Sequence, residues 1–308
     1  KKLTFNNENI GNNCEILFNF LNENNNIQVL NLSSNDLGAN LENLKKLTNE
    51  IKKNKTLRIL DLSYNDLGTN LENIKEISNG FKDNKMIRTL YLGNNNIGSI
   101  EGSIKELNEG INNKIIENLY LEGNEIGKFI DNIKHICDLI KNNKYIKKLI
   151  LNNNNIGNNP KHLKKLSKEI ITNNSIEILD LSYNDILGKY KNIPENNFFD
   201  IYNYNNNVQN NYEENIKSMA AIINENKSIS KIFINSEYDN SNNYYILEKS
   251  NNGINFNSWL KIGCPVKKVF LRMVLFVCKI NLTKKEEVFT KSLLFFLFFY
   301  LFPRTTVI

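Results

Sequence analysis

One phrase recurs along this chain at a period of about thirty residues, and it leaves few folds open. It reads IQVLNLSSNDLG from Ile27, LRILDLSYNDLG from Leu57, IRTLYLGNNNIG from Ile87, IENLYLEGNEIG from Ile116, IKKLILNNNNIG from Ile146 and IEILDLSYNDILG from Ile176. Length alone, 308 residues, would allow one large domain or two ordinary ones. Repetition decides the matter: one structural unit is stacked on itself.

Inside each phrase, Leu30 and Leu32, Leu60 and Leu62, and Leu90 and Leu92 alternate with period two, so they point to one side of a short strand, the core side. Asn35, Asn65, Asn95, Asn124, Asn154 and Asn184 follow at a constant step, where a short amide can bond backbone groups left free by a turn. Stacking would make them a buried ladder. Gly38, Gly68, Gly98, Gly127 and Gly157 are expected to let the chain turn. Apolar residues then return at helical spacing, as in Leu41, Leu44, Leu47 and Ile51, in Leu71, Ile74, Ile77 and Phe81, and in Ile130, Ile133, Ile136 and Ile140. Strands sit about 4.8 Å apart and helices need roughly 10 Å, so stacked repeats curve with the sheet inside.

The pattern LxxLxLxxNxL resembles the leucine-rich repeat, and its length with a helical second half is similar to the ribonuclease-inhibitor-like subtype. The resemblance implies an α/β leucine-rich-repeat solenoid, a horseshoe with a parallel concave sheet, outer helices and about eight repeats. A truncated first copy (Leu3, Phe5, Ile10, Gly11) and a degenerate last one (Ile229, Ile232, Ile234) extend it over residues 1–237. These end copies carry Glu8 and Glu237 in place of the Asn, which fits repeats that lack one stacking neighbour. Because the chain opens on Lys1 inside the pattern, an upstream portion is expected to precede it.

Residues alternating with the core leucines point onto the concave surface in columns. The column between the two core positions reads Thr4, Asn31, Asp61, Tyr91, Tyr120, Ile150, Asp180 and Phe233. Tyr91, Tyr120 and Ile150 are expected side by side, with Ile59 and Ile178 nearby, Tyr64 and Tyr183 at the strand edge, and Asp61, Glu122 and Asp180 around them. An aromatic centre with an acidic rim is the make-up of a protein-binding hot spot. Ordinary cross-strand neighbours on a scaffold face would read the same way. Horseshoes of the resembled subtype usually bind proteins on the concave face or its rim, so the expected partner is a protein.

Formal net charge is +6, with lysines spread over helices and tail instead of clustering among aromatics, which argues against a nucleic-acid groove. Cys14, Cys137, Cys264 and Cys278 are far apart, with only His135 and His162 to assist, so neither zinc nor a disulfide framework is expected and the thiols read as reduced. His135 and His162 read as surface histidines, Cys137 as a small packing residue. No phosphate loop, HExxH or GxSxG is present, so a non-catalytic chain without cofactor or metal is expected, in the cytoplasm. Ran GTPase-activating proteins resemble this repeat type, which implies a polar group, often Arg, on the loops after the strands. Here those loops hold no Arg; Arg58 and Arg88 lie inside strand segments, Arg272 and Arg304 in the tail.

The rhythm breaks after Ile186, where 53 positions separate Leu179 from Ile232. An Asn-rich, aromatic-bearing insertion near 189–212 should leave the solenoid as a loop, with Phe198, Phe199, Tyr202 and Tyr204 available to a partner. Residues 238–258 read as a low-complexity linker and 259–308 as a hydrophobic, basic tail. For the tail a packed or interfacial element, a translation or gene-model artefact and a membrane anchor all stay open. Its run Leu293–Phe302 spans about 15 Å as a helix against a bilayer core near 30 Å. The expected function is a protein-interaction module, with a GTPase regulator and a membrane-tethered recognition protein as alternatives.

Overall fold

The computed structural model describes residues 1–12, 26–112, 115–186, 226–234, 245–250 and 253–255, with scattered positions in 17–21 and 214–225. All fall within the compact unit Lys1–Lys261; the second unit, Ile262–Ile308, lies outside the described residues.

Ten strands form one sheet in sequential order: β1 (Lys2–Thr4), β2 (Val29–Asn31), β3 (Ile59–Asp61), β4 (Thr89–Tyr91), β5 (Asn118–Tyr120), β6 (Lys148–Ile150), β7 (Ile178–Asp180), β8 (Lys231–Ile234), β9 (Tyr245–Ser250) and β10 (Gly253–Asn255). The first eight pair in parallel, so each of the first seven must be followed by a crossover. The crossovers run through short 3-10 turns and the helices α1 (Leu41–Lys53), α2 (Leu71–Asp83), α3 (Ser103–Ile111), α4 (Ile130–Asn142) and α5 (Pro160–Thr172). One register joins Leu30, Leu60, Leu90, Leu119, Leu149, Leu179 and Ile232 in a single buried row. Opposite it, Leu44, Leu47 and Ile51 of α1, and their counterparts on the other helices, close the core.

Helix starts follow from local chemistry. The Asn40 side chain accepts from Asn43 N–H and that of Asn70 from Glu72 N–H, while Asn159 accepts from Lys161 N–H ahead of α5, whose first residue is Pro160.

The predicted asparagine ladder is present and buried. Asn95 Oδ1 accepts from Asn65 N–H at 2.8 Å and Leu67 N–H at 3.4 Å, and its Nδ2 donates to the carbonyls of Leu62, Leu92 and Gly93. Each rung therefore ties its own strand end to the preceding repeat.

Two further asparagine columns do the same elsewhere in the repeat. At the helix entry Asn43, Asn73 and Asn132 donate to the carbonyls of Gly11, Gly38 and Gly98, one repeat back. At the helix exit Asn54, Asn84, Asn143, Asn173 and Asn226 each accept backbone N–H groups two and three residues on. Asn84, Asn173 and Asn226 also donate to the carbonyls of Ile51, Ile140 and Ile170.

Several expectations need correcting. The repeat glycines do stand in the turns, within the short 3-10 segments, but their constraint there is space and not a left-handed backbone, since a Cβ on Gly38 would sit 2.4 Å from Asp66 O and one on Gly68 2.2 Å from Asn96 O. Positive φ falls instead on Asp36, Asp66 and Asn96, just before those turns. His162 is buried at 4 % exposure, not on the surface, because it occupies the helix-entry column where Asn43, Asn73 and Asn132 stand. Desolvation lowers its imidazole pKa below the ordinary value. Within the segment read as a linker, β9 continues the sheet antiparallel to β8, and β10 pairs antiparallel with β9. A chain that turns back in this way covers the edge of β8 that a further repeat would otherwise occupy. The insertion at 189–212 and the tail lie outside the described residues.

Candidate binding face

Strand register assembles the candidate residues into a grid on the face opposite the core. One row runs Asp61–Tyr91–Tyr120–Ile150–Asp180, each partner directly opposite the next across β3 to β7. Beside it runs Ile59–Thr89–Asn118–Lys148–Ile178. Two residues further along each strand direction stand Ser63, Gly93, Glu122, Asn152 and Ser182.

At the centre of the first row the rings of Tyr91 and Tyr120 stack, with centroids 4.1 Å apart and planes 23° from parallel. Lys148 Nζ lies 4.9 Å from the Tyr120 centroid, a cation–π contact that sequence reasoning did not find. Both tyrosines are half-buried. Burial, reinforced by the Tyr120 hydroxyl, pushes the Tyr91 phenol up to about 12, so it stays a neutral donor.

Ile150 was expected to be presented to a partner, but it is only 8 % exposed. Its place between Tyr120 and Asp180 in the row leaves it packing the surface instead of offering it. Ile59, Asp61, Glu122, Asp180 and Tyr183 are half-buried. Tyr64 is 59 % exposed.

Tyr64 and Tyr183 stand outside the grid, at its rim, with φ of 57° and 54°. The same step of other repeats holds Ser34, Asn94, Gly123 and Asn153. A bulky side chain in this left-handed conformation costs roughly 1–2 kcal/mol, a strain that often accompanies a functional position.

The carboxylates differ in how they are held. Asp61 Oδ1 accepts from Ser63 N–H at 3.0 Å, and Asp180 Oδ1 accepts from Ser182 N–H at 2.9 Å and Ser182 Oγ–H at 2.6 Å. Burial raises the Asp180 carboxyl above its ordinary range despite these bonds. Glu122 is raised too, by burial first and then by the charges of Asp61 and Asp180, and its Oε2 is buried without a hydrogen-bond partner. The side chain lies over Gly93, where a Cβ would sit 2.3 Å from Glu122 Oε1. Glycine at 93, where the two preceding repeats carry Ser63 and Ser33, was the sequence signal for that fold-over.

Elsewhere the titratable groups are engaged in packing. His135 lies between Asp131 Oδ2 at 3.2 Å and Asp138 Oδ2 at 3.5 Å on α4. Cys137 is a free, buried thiol, which burial pushes up to about 12. Arg58 Nη1 donates to Met86 O and Arg88 Nη1 to Ile115 O, each bonding the next repeat. Among the described residues no group of three or more His, Cys, Asp or Glu is placed to hold a metal ion, and no helix is long and apolar enough to cross a membrane.

The Leucine Rich repeat family model matches residues 23–40, 53–70 and 172–188, three copies of the phrase. No curated protein matches the chain. Among solved structures, the leucine-rich repeat-containing protein LegL7 from Legionella pneumophila is similar at 18% identity and a TM-score of 0.49, covering 86% of this chain and 78% of that one. With eight parallel strands, their crossovers, the asparagine ladder and the matched repeats together, the chain carries leucine-rich repeats stacked as a solenoid.

Proposed function

We propose that the open face of the sheet is a non-catalytic surface for a protein partner, centred on Tyr91 and Tyr120. Leucine-rich-repeat domains commonly bind proteins, and the observation that carries the reading here is the tyrosine stack at 4.1 Å, set mid-row between Asp61 and Asp180. Stacked tyrosines offer a large, rigid apolar area with a hydroxyl on each, and they lose few rotamers on contact. Flanking carboxylates add the charge that fixes orientation and suppresses wrong partners.

The test is quantitative affinity capture with the full chain and with the Tyr91→Ala, Tyr120→Ala variant, from cells that express it. The variant should keep its circular dichroism, since neither side chain belongs to the leucine core. Proteins recovered by the parent chain should be lost, at about 2 kcal/mol or more of binding energy for a hot-spot residue. An unchanged set of captured proteins would move the site off this face.

A further inference from the structure

The row that holds the stacked tyrosines ends on the same residue set at both sides. β3 carries Ile59 and Asp61, followed by Ser63 and Tyr64; β7 carries Ile178 and Asp180, followed by Ser182 and Tyr183. Four strand steps separate the two aspartates, about 19 Å at a spacing near 4.8 Å.

Folding does not need the negative charge at these two places. On β2 the same step is Asn31, whose Oδ1 accepts from Ser33 N–H at 2.9 Å and Ser33 Oγ–H at 2.7 Å, just as Asp180 Oδ1 does from Ser182. A neutral amide thus serves the turn. Asp61 and Asp180 each keep Oδ2 without a hydrogen bond among the described residues. Glu122 lies between them with its Oε2 also unpartnered. Against these three carboxylates the grid from β3 to β7 holds one cation, Lys148, already placed over the Tyr120 ring. An acidic, aromatic patch stands on a chain whose formal charge is +6.

Resting on the protein-binding reading above, we propose that the occupant of this face is a basic polypeptide segment that crosses the strands over the tyrosine pair, with one cationic side chain beside Asp61 and another beside Asp180. Charge complementarity selects the sign, since the one cation of the grid is already engaged on the Tyr120 ring and leaves the carboxylates to the occupant. At about 3.3 Å per residue an extended segment covers the interval in about six residues.

Three labelled peptides of equal length test this on the full chain by fluorescence anisotropy. One carries two arginines six positions apart around a central leucine; the others carry glutamine or glutamate in place of both arginines. The arginine peptide should bind about tenfold or more tighter than the glutamine peptide, and the advantage should shrink with added salt. It should vanish in the Asp61→Asn, Asp180→Asn variant, which Asn31 shows to be compatible with the turn. Equal affinity for all three peptides, none included, overturns the proposal. So does preference for the glutamate peptide, self-association of the chain through this face, or an arginine preference that survives the double variant. If the tyrosine variant loses captured proteins while the aspartate variant keeps the same peptide preferences, the face stands and the basic occupant fails. If neither variant changes anything, both readings fail.

Discussion

Burial and the charges of Asp61 and Asp180 hold the Glu122 carboxyl above its ordinary range, and its buried oxygen finds no donor. A carboxyl raised in this way binds a proton more readily in the folded chain than in the unfolded one. The stability it supports is therefore full below the ordinary value of 4.5 and is lost as pH rises through the higher folded value. Glu122→Gln removes that loss. The variant is expected to have a higher thermal midpoint than the parent near pH 7, with the difference closing below about pH 4.5. Differential scanning calorimetry across that range checks it; a difference that did not vary with pH would show that the carboxyl is not the source. A group that lowers stability on a surface with no folding role for it marks the usual trade between stability and binding.

At the scale of the repeat element, the asparagine columns carry the connections between neighbours. The Asn95 side chain makes five hydrogen bonds across two repeats, all buried. Asn95→Ala leaves buried N–H and C=O groups unpaired and should cost about 3 kcal/mol, read as a lower urea midpoint. Asn95→Asp keeps the acceptors but turns the three donor contacts into repulsions, so it should be no more stable than the alanine variant. Recovery of parent stability by aspartate would mean that only the acceptors matter. The first of these columns was legible because the LxL pair counts out its position. The other two were not, since asparagine is common here and the KNK and NNK stretches look like low complexity. Asn54, Asn84, Asn143 and Asn173 all stand three residues before the phrase, and His162 stands sixteen residues into it with Asn43, Asn73 and Asn132. Counting from the phrase instead of reading composition would have exposed both columns. The grid on the open face was legible from period two alone. Burial of Ile150 was not, because it depends on the size of side chains on neighbouring strands.

Across the whole solenoid, each described repeat contacts the ones before and after it, so cooperativity passes between nearest neighbours. Repeats in the middle are held from both sides and those at the ends from one. Amide hydrogen exchange should accordingly be slowest in β4, β5 and β6 and faster toward β1, with Asn95→Ala speeding exchange most in the repeats it joins. Uniform protection along the sheet would contradict this. The antiparallel strands β9 and β10 give the other end a cover of its own. The distance between successive core positions is 27 residues from Leu3 to Leu30, 29 from Leu90 to Leu119 and 53 from Leu179 to Ile232, yet the strand register never slips. Length variation between the strands leaves their pairing unchanged. The face therefore behaves as a keyboard of fixed pitch: a repeat can be rewritten, or the chain between two strands lengthened, and every other key keeps its place. Exchanging residues 59–64 with the matching residues of a neighbouring repeat would move an aspartate–tyrosine pair by one whole step and leave the remaining pattern to be read by whatever partner the new spacing suits.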